Sequence, residues 1–103
     1  MAREPNARIH LVATLAVVTG GWSLRVTRME WALLVIAMAL VWVAEALNAA
    51  IERLADVVSP ERDPRIGRAK DLAAAGVLAS AVGAATIGVL VFGPRIWAWL
   101  QGG

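Results

Sequence analysis

The chain has 103 residues, of which 59% are hydrophobic, and its ten basic and eight acidic residues give a net charge of +2. A soluble domain of this length would expose more apolar surface than its small core can bury, so the composition favours a single membrane domain. The absence of cysteine and the presence of one histidine exclude disulfide frameworks, Cys/His zinc sites and cysteine nucleophiles. The nearly balanced charge argues against nucleic acid as a partner.

Three uncharged stretches predict an all-α integral membrane domain of three helices over residues 1–103. About 20 apolar residues cross the hydrocarbon core of a bilayer. The stretch 72–94 is long enough alone, and the stretch 31–44 is long enough if its helix continues through Glu45 to Val58. The first stretch, 9–24, is short; it also has the basic start and apolar middle of a signal peptide, but no cleavage site follows it. We therefore predict spans at about 8–24, 31–58 and 67–93, with a loop at 59–66.

The loop between the second and third spans has recognisable helix boundaries. Ser59 precedes Pro60, which disfavours helical backbone at Ser59 and suits a helix end. Asp63 precedes Pro64, which suits an N-cap followed by the first helical position. A new helix is predicted to begin there.

Charge and tryptophan placement predict the orientation. Seven basic residues lie in the N-terminal segment, at the inner end of the second helix and in the 59–70 region, whereas three lie at the opposite ends of the stretches. Four of the five tryptophans fall at those opposite ends, as an interfacial aromatic belt would. The positive-inside rule then predicts a multi-pass topology with the N-terminus and the long loop in the cytoplasm.

Small residues recur every four positions in the third stretch, at Gly76, Ser80, Ala84 and Gly88. This spacing aligns them on one helix face, where another helix can approach closely. Three short helices offer few internal partners for such a seam, so a homo-oligomer is expected.

The second helix carries a polar stripe. Glu45, Asn48, Glu52 and Asp56 stand at offsets of 0, 3, 7 and 11 residues and share one helix face. Glu45 directly follows the apolar stretch, where an ionised side chain is expensive. One explanation is pairing with Arg53 or Lys70 for assembly alone. The explanation we prefer is a site for Mg²⁺, which favours carboxylate oxygens together with substrate phosphates.

Lys70 and Asp71 stand where the third helix enters the membrane, on the same side as this stripe. Lysine is a common phosphate ligand. Alone, such a pair usually serves as an interfacial anchor. No P-loop or kinase glycine loop occurs in the sequence, so any nucleotide must be held in another way.

These motifs resemble the signature of the prokaryotic diacylglycerol kinase and undecaprenol kinase family. The matching segments are Glu45-Ala-Leu-Asn48-Ala-Ala-Ile-Glu52-Arg-Leu-Ala-Asp56, Ala69-Lys70-Asp71 and Asn6-Ala-Arg-Ile-His10. The last segment and Arg28-Met-Glu30-Trp31 are closest to the undecaprenol kinase branch. The resemblance extends from about Glu4 to Phe92.

The resemblance implies a homotrimer that transfers the γ-phosphate of Mg-ATP to a lipid hydroxyl at the cytoplasmic interface. Undecaprenol is favoured over diacylglycerol as the lipid. The implied catalytic residues are Glu45, as general base, and Asn48, and the implied magnesium ligands are Glu4 and Glu52. The implied ATP-binding residues are Glu4, Glu52, Glu61, Asp63, Lys70 and Asp71. The implied lipid-binding residues are Asn6, Ala7, Arg8, Ile9, His10 and Glu45.

Two departures from the family pattern leave alternatives open. Family members usually carry some twenty further residues before Glu4, which form an amphipathic surface helix, and this chain starts without them. The loop reads Glu61-Arg62-Asp63 where an aromatic residue and a histidine commonly follow the glutamate.

The alternatives to an active kinase are a catalytically inactive kinase-like scaffold and a non-enzymatic transporter or channel subunit in which Glu45 binds a cation. A transporter site is expected near the bilayer midplane, whereas this stripe extends to the loop, which favours the kinase.

Overall fold

The structure, a computed structural model, describes residues 4–102, with side chains over 8–102. Three helices follow one another: α1 (Glu4–Ser23), α2 (Arg28–Val58) and α3 (Pro64–Leu100). Short connections join them at residues 24–27 and 59–63. The molecule is elongated, with extents of 59 × 21 × 21 Å. The prediction of an all-α fold of three helices is confirmed.

Local capping chemistry sets where α2 and α3 begin. The Glu30 backbone N–H donates to Thr27 Oγ1 at 3.1 Å and the Thr27 N–H donates to Glu30 Oε1 at 2.8 Å, which together form a capping box. Asp63 caps α3 by accepting from the Arg65 N–H at 2.9 Å, and Pro64 follows as the first helical residue. The predicted helix start after Asp63 is thus confirmed, as is the predicted end of α2, which finishes at Val58 with Ser59 as its C-cap.

The helix α3 is longer than the uncharged stretch 72–94 from which it was predicted. It continues through Pro94, at the end of the uncharged stretch, to Leu100. Just beyond the proline, Arg95 forms an ion pair with Glu30 and donates to the Leu24 carbonyl at 3.3 Å. These contacts tie the end of α3 to the α1–α2 connection.

The helices α2 and α3 form an antiparallel hairpin that holds most of the core. One buried cluster contains Val26, Leu34 and Val91, and a second contains Ala37, Val41 and Ala84. Ala84 belongs to the small-residue stripe of α3, so part of that stripe packs on α2 within the same subunit. The other three stripe residues, Gly76, Ser80 and Gly88, are not buried in the described structure, so the expected homo-oligomer stays a prediction.

The helix α1 packs more loosely, on both α2 and α3. At Gly21 of α1, a Cβ atom would lie 2.7 Å from the Trp31 ring of α2, so a larger residue would force that ring to shift. The connection that follows includes Arg25 at φ 55°, in the left-handed region that few non-glycine residues adopt.

Two helices, α2 and α3, are long and apolar enough to cross a membrane, each with a window of mean hydropathy 2.1. Only 17% of that window in α2 and 6% in α3 is buried within the subunit. The core helix of a soluble protein would be largely buried. Among the described residues α1 does not meet the same criterion, so its span stays a prediction.

Candidate functional site

The polar stripe of α2 runs from half-buried surroundings to the solvent-exposed loop. Glu45, Asn48 and Glu52 are partly buried, whereas Asp56 is exposed. Eleven residues of helix separate Glu45 from Asp56, a rise of about 16 Å. The stripe therefore extends from the apolar interior to the polar end of the hairpin.

Glu45 contacts His10 of α1. Glu45 Oε1 lies 2.9 Å from His10 Nε2, and the two side chains are only 16% and 17% exposed. About one helical turn away, Trp42, which precedes Glu45 on α2, donates from Nε1 to Oγ1 of Thr14, which follows His10 on α1, at 2.9 Å. Two polar links thus join α1 to α2 at the predicted catalytic glutamate.

Asn48 and Glu52 form the middle of the stripe. Asn48 Nδ2 lies 3.5 Å from Glu52 Oε2, a long hydrogen bond. Asn48 Oδ1 is buried without a hydrogen-bond partner among the described residues. A buried amide oxygen without a hydrogen-bond partner lowers the stability of the fold unless another group binds it. Beside a carboxylate, such an oxygen is a suitable ligand for a cation such as Mg²⁺, which prefers oxygen ligands.

Asp56 and Lys70 link α2 to α3 at the loop. Lys70 Nζ donates to Asp56 Oδ1 at 2.8 Å. Both residues line a cavity of about 200 Å³. The loop residues that line it include Glu61, Arg62 and Asp63. The cavity combines a lysine, an arginine and three carboxylates, which is the polar surrounding that a charged ligand requires.

Asp63 is already engaged in this cavity wall. Its Oδ1 accepts from the Arg65 backbone N–H, and its Oδ2 lies 2.9 Å from Arg65 Nη2. The Arg65 guanidinium and the capping N–H hold the pKa of Asp63 below its ordinary value. A nucleotide contact by Asp63 would therefore compete with the cap of α3.

An apolar groove of about 360 Å³ opens between α1 and α3 over α2. His10 lies at the end nearer the start of α1, and Phe92 lies at the other end. The residues between them include Ala13, Val17, Met38, Val41, Ala84 and Gly88. Through His10 the groove leads to the Glu45 carboxylate.

The other predicted site residues lie apart from these features. Arg8, Ile9 and Asp71 are exposed. The side chains of Glu4, Asn6 and Ala7 lie outside the described residues. Within residues 8–102 no group of three His, Asp or Glu side chains is close enough to hold a metal ion. Of the two predicted magnesium ligands, only Glu52 has a described side chain.

Neither the link between His10 and Glu45 nor the neighbouring link between Thr14 and Trp42 was predicted from the sequence. The available signal was the matched spacing, since two polar residues four apart on α1 meet two residues three apart on α2. Spacing along a chain does not reveal which helix faces pair, so the contact emerged only with the fold.

Comparison with known proteins decides the family. The sequence profile described as "Prokaryotic diacylglycerol kinase" matches residues 1–92. The chain belongs to this family. No solved structure matches it significantly.

Two curated relatives of this diacylglycerol kinase family carry names of lipid kinases. The chain is 32% identical to the "Undecaprenol kinase" of Bacillus subtilis over 93 residues, which cover 90% of this chain and 76% of that enzyme. It is 33% identical to the "Diacylglycerol kinase" of Synechocystis over 88 residues, which cover 84% of this chain but only 50% of that enzyme. The prediction of a membrane-bound lipid kinase is confirmed.

Proposed function

We propose that this lipid kinase transfers the γ-phosphate of Mg-ATP to the hydroxyl of undecaprenol at the cytoplasmic face of the bacterial inner membrane. The observation that carries the proposal is the position of Glu45. It is half-buried, it lies next to the inner end of the apolar groove, and its stripe leads along α2 to the Lys70 cavity. A lipid chain in the groove would bring its hydroxyl to Glu45 from one side, while the nucleotide approaches from the other.

The preference for undecaprenol has two supports. The match to the undecaprenol kinase covers 76% of that enzyme, whereas the match to the diacylglycerol kinase covers only 50% of that enzyme. The Arg8-Ile9-His10 and Glu30-Trp31 segments also resemble the undecaprenol kinase branch.

The chemistry assigned to Glu45 is general base catalysis. Its carboxylate accepts the proton of the lipid hydroxyl, whose oxygen forms a bond to the γ-phosphorus while the bond from phosphorus to the bridging oxygen of ADP breaks. Such a transfer depends mainly on alignment and charge compensation. Lys70 supplies a positive charge for the phosphates, and the loop cavity with Glu61 supplies further nucleotide contacts.

The residues around Asn48 fit a magnesium ion. Glu52 offers a carboxylate, and Asn48 offers its Oδ1 oxygen, which has no hydrogen-bond partner among the described residues. Mg²⁺ is commonly held by one or two carboxylates together with phosphate oxygens. Glu52, with Glu4 as the second predicted carboxylate, would hold the ion. When bound, magnesium offsets the negative charge of the phosphates.

We further propose that the active assembly is a homotrimer with a cytoplasmic N-terminus. The exposed apolar side chains of all three helices leave room for subunit contacts as well as lipid. Measurement of the mass of the detergent-solubilised protein tests this assembly, for which three copies are expected; a monomer or a dimer would contradict it.

The test of the function is a paired transfer assay. The purified protein in mixed lipid–detergent micelles receives labelled ATP with undecaprenol or diacylglycerol, with and without Mg²⁺. We expect magnesium-dependent phosphorylation that is faster with undecaprenol. The Glu45→Gln variant keeps the shape of the side chain but not the base, so it should fold and lose turnover. Transfer to neither lipid by a folded oligomer, or full activity in Glu45→Gln, would refute the proposal.

A further inference from the structure

None of the roles described above explains the half-buried contact between His10 and Glu45. As a lipid-binding residue, His10 would only need to face the groove. Its Nε2 atom instead lies 2.9 Å from Glu45 Oε1, across the interface between α1 and α2. Thirty-five residues separate the two along the chain, so the contact depends on how the helices pack.

We propose that His10 is a positioning residue for the general base: its Nε2–H donates to Glu45 Oε1 and holds the carboxylate so that Oε2 faces the lipid hydroxyl. This inference rests on the proposed function. His10 itself takes no proton from the lipid in this arrangement, because a donating Nε2–H has no lone pair with which to accept one.

The surroundings of His10 hold its ring in place. Thr14 Oγ1 donates to the His10 carbonyl at 2.7 Å and accepts from Trp42 Nε1 at 2.9 Å. The His10 and Trp42 rings lie with centroids 5.8 Å apart and tilted by 59°. Backbone, ring face and ring edge of His10 are therefore all constrained by neighbours on α1 and α2.

The contact with His10, which fixes the position of the Glu45 carboxylate, matters for catalysis for two reasons. A glutamate side chain has several rotatable bonds, and alignment of reacting groups is worth a large part of a rate enhancement. The contacts of α1 with the rest of the subunit are also sparse. The links from His10 and Thr14 to α2 therefore fix the register between α1, which forms one wall of the groove, and α2, which carries the base.

The test compares two replacements of His10 in the full-length protein. His10→Phe keeps an aromatic ring beside Trp42 but removes the donor. His10→Gln keeps an N–H donor at a similar reach. We expect His10→Phe to lower kcat roughly 10–100-fold, the loss that follows from removing a hydrogen bond to a charged group. The KM values for undecaprenol and ATP should stay within about twofold, and His10→Gln should recover most of kcat.

A third variant covers the case in which His10→Phe does not fold. Thr14→Val keeps the shape of the side chain but removes the acceptor for Trp42 and the bond to the His10 carbonyl. We expect a smaller fall in kcat, about fivefold, again without a change in the lipid KM. Thermal unfolding of each variant provides the check on folding.

The outcomes separate the inference from the proposed function. A rise in the lipid KM with kcat preserved would overturn the inference and make His10 a lipid contact. Wild-type kcat in both His10→Phe and Thr14→Val, with Glu45→Gln inactive, would overturn the inference and leave the proposed function standing. A wild-type protein without lipid phosphorylation, or a fully active Glu45→Gln, would refute the proposed function itself.

Discussion

Each acidic side chain on the α2 stripe has a different neighbour. Glu45 contacts His10 on α1, Glu52 contacts Asn48 on its own helix, and Asp56 contacts Lys70 on α3. The stripe is therefore three local arrangements, and each is suited to a different task. A hydrogen-bonded carboxylate, an oxygen-rich pair and a lysine beside a polar cavity follow one another from the apolar part of α2 to the loop.

Replacement of Lys70 tests the predicted binding of ATP directly. If its ammonium group binds the phosphates of ATP, Lys70→Met should reduce kcat/KM for ATP by roughly 10–100-fold, the effect of losing a charged hydrogen bond. Arg68→Met removes the same charge from an exposed position two residues away and is the matched control. Steady-state kinetics at varied ATP measure both. Equal losses in the two variants would indicate a general charge effect instead.

At the scale of elements, the α2–α3 hairpin depends on small residues. Ala37 is only 1% exposed and packs with Val41 and Ala84 between the two helices. Small side chains let helix backbones approach closely, which is the main source of helix association in a membrane, where lipid is as apolar as the protein. Close packing therefore holds the hairpin together where Ala37 and Val41 meet Ala84.

Ala37→Leu tests this packing. The larger side chain has no space at the interface, so overpacking should lower the free energy of unfolding by about 1–3 kcal/mol. Ala39→Leu makes the same change on the exposed side of α2 and should have little effect. Thermal unfolding followed by circular dichroism in detergent compares them. Equal midpoints for the two variants would contradict a tightly packed hairpin.

The opposite end of the hairpin is joined by an ion pair whose strength depends on pH. Arg95 Nε donates to Glu30 Oε1 at 3.0 Å, and this guanidinium, together with the Thr27 N–H, lowers the pKa of Glu30 from its ordinary value of 4.5. A carboxyl whose pKa is lowered by folding stabilises the folded state above its ordinary pKa, and this contribution is lost as the pH falls through the lowered value.

Glu30→Gln isolates that contribution, because glutamine retains the oxygen that accepts from the Thr27 N–H but loses the charge that faces Arg95. We expect the wild type to unfold at a higher temperature than the variant near neutral pH. The difference should shrink as the pH falls below 4.5. Unfolding midpoints of both proteins across an acid series measure it. A difference that is independent of pH would show that the ion pair does not contribute.

At the scale of the whole molecule, the exposed surface is largely apolar. Large side chains such as Trp22, Val57 and Leu72 are 74–80% exposed. Apolar surface of this extent would be unfavourable in water and suits a bilayer or neighbouring subunits. The polar cavity at residues 59–70 and the Glu30–Arg95 pair lie at opposite ends of the long axis.

Topology can be tested at three exposed positions, since the natural chain has no cysteine. Arg28→Cys and Gln101→Cys mark one end of the hairpin, and Arg62→Cys marks the loop at the other. With a membrane-impermeant maleimide applied to spheroplasts, we expect labelling of the Arg28→Cys and Gln101→Cys variants. The Arg62→Cys variant should be labelled only after permeabilisation. The reverse pattern would refute a cytoplasmic loop.

The sequence by itself determined the three helices and the order of the acidic residues along one face of α2. Three uncharged stretches, the Ser59-Pro60 and Asp63-Pro64 boundaries and the spacing from Glu45 to Asp56 depend only on neighbours along the chain, so they were readable without a fold. The family motifs in the same segments predicted a lipid kinase, which the comparisons confirm.

Tertiary structure alone decided which helix faces meet. It placed His10 against Glu45, Lys70 against Asp56 and Ala84 inside its own subunit. It also carried α3 past Pro94 so that Arg95 reaches Glu30. Helical periodicity assigns residues to a face, but apolar faces directed at lipid and at another helix have the same composition. Only the packing of small side chains against large ones selects between them.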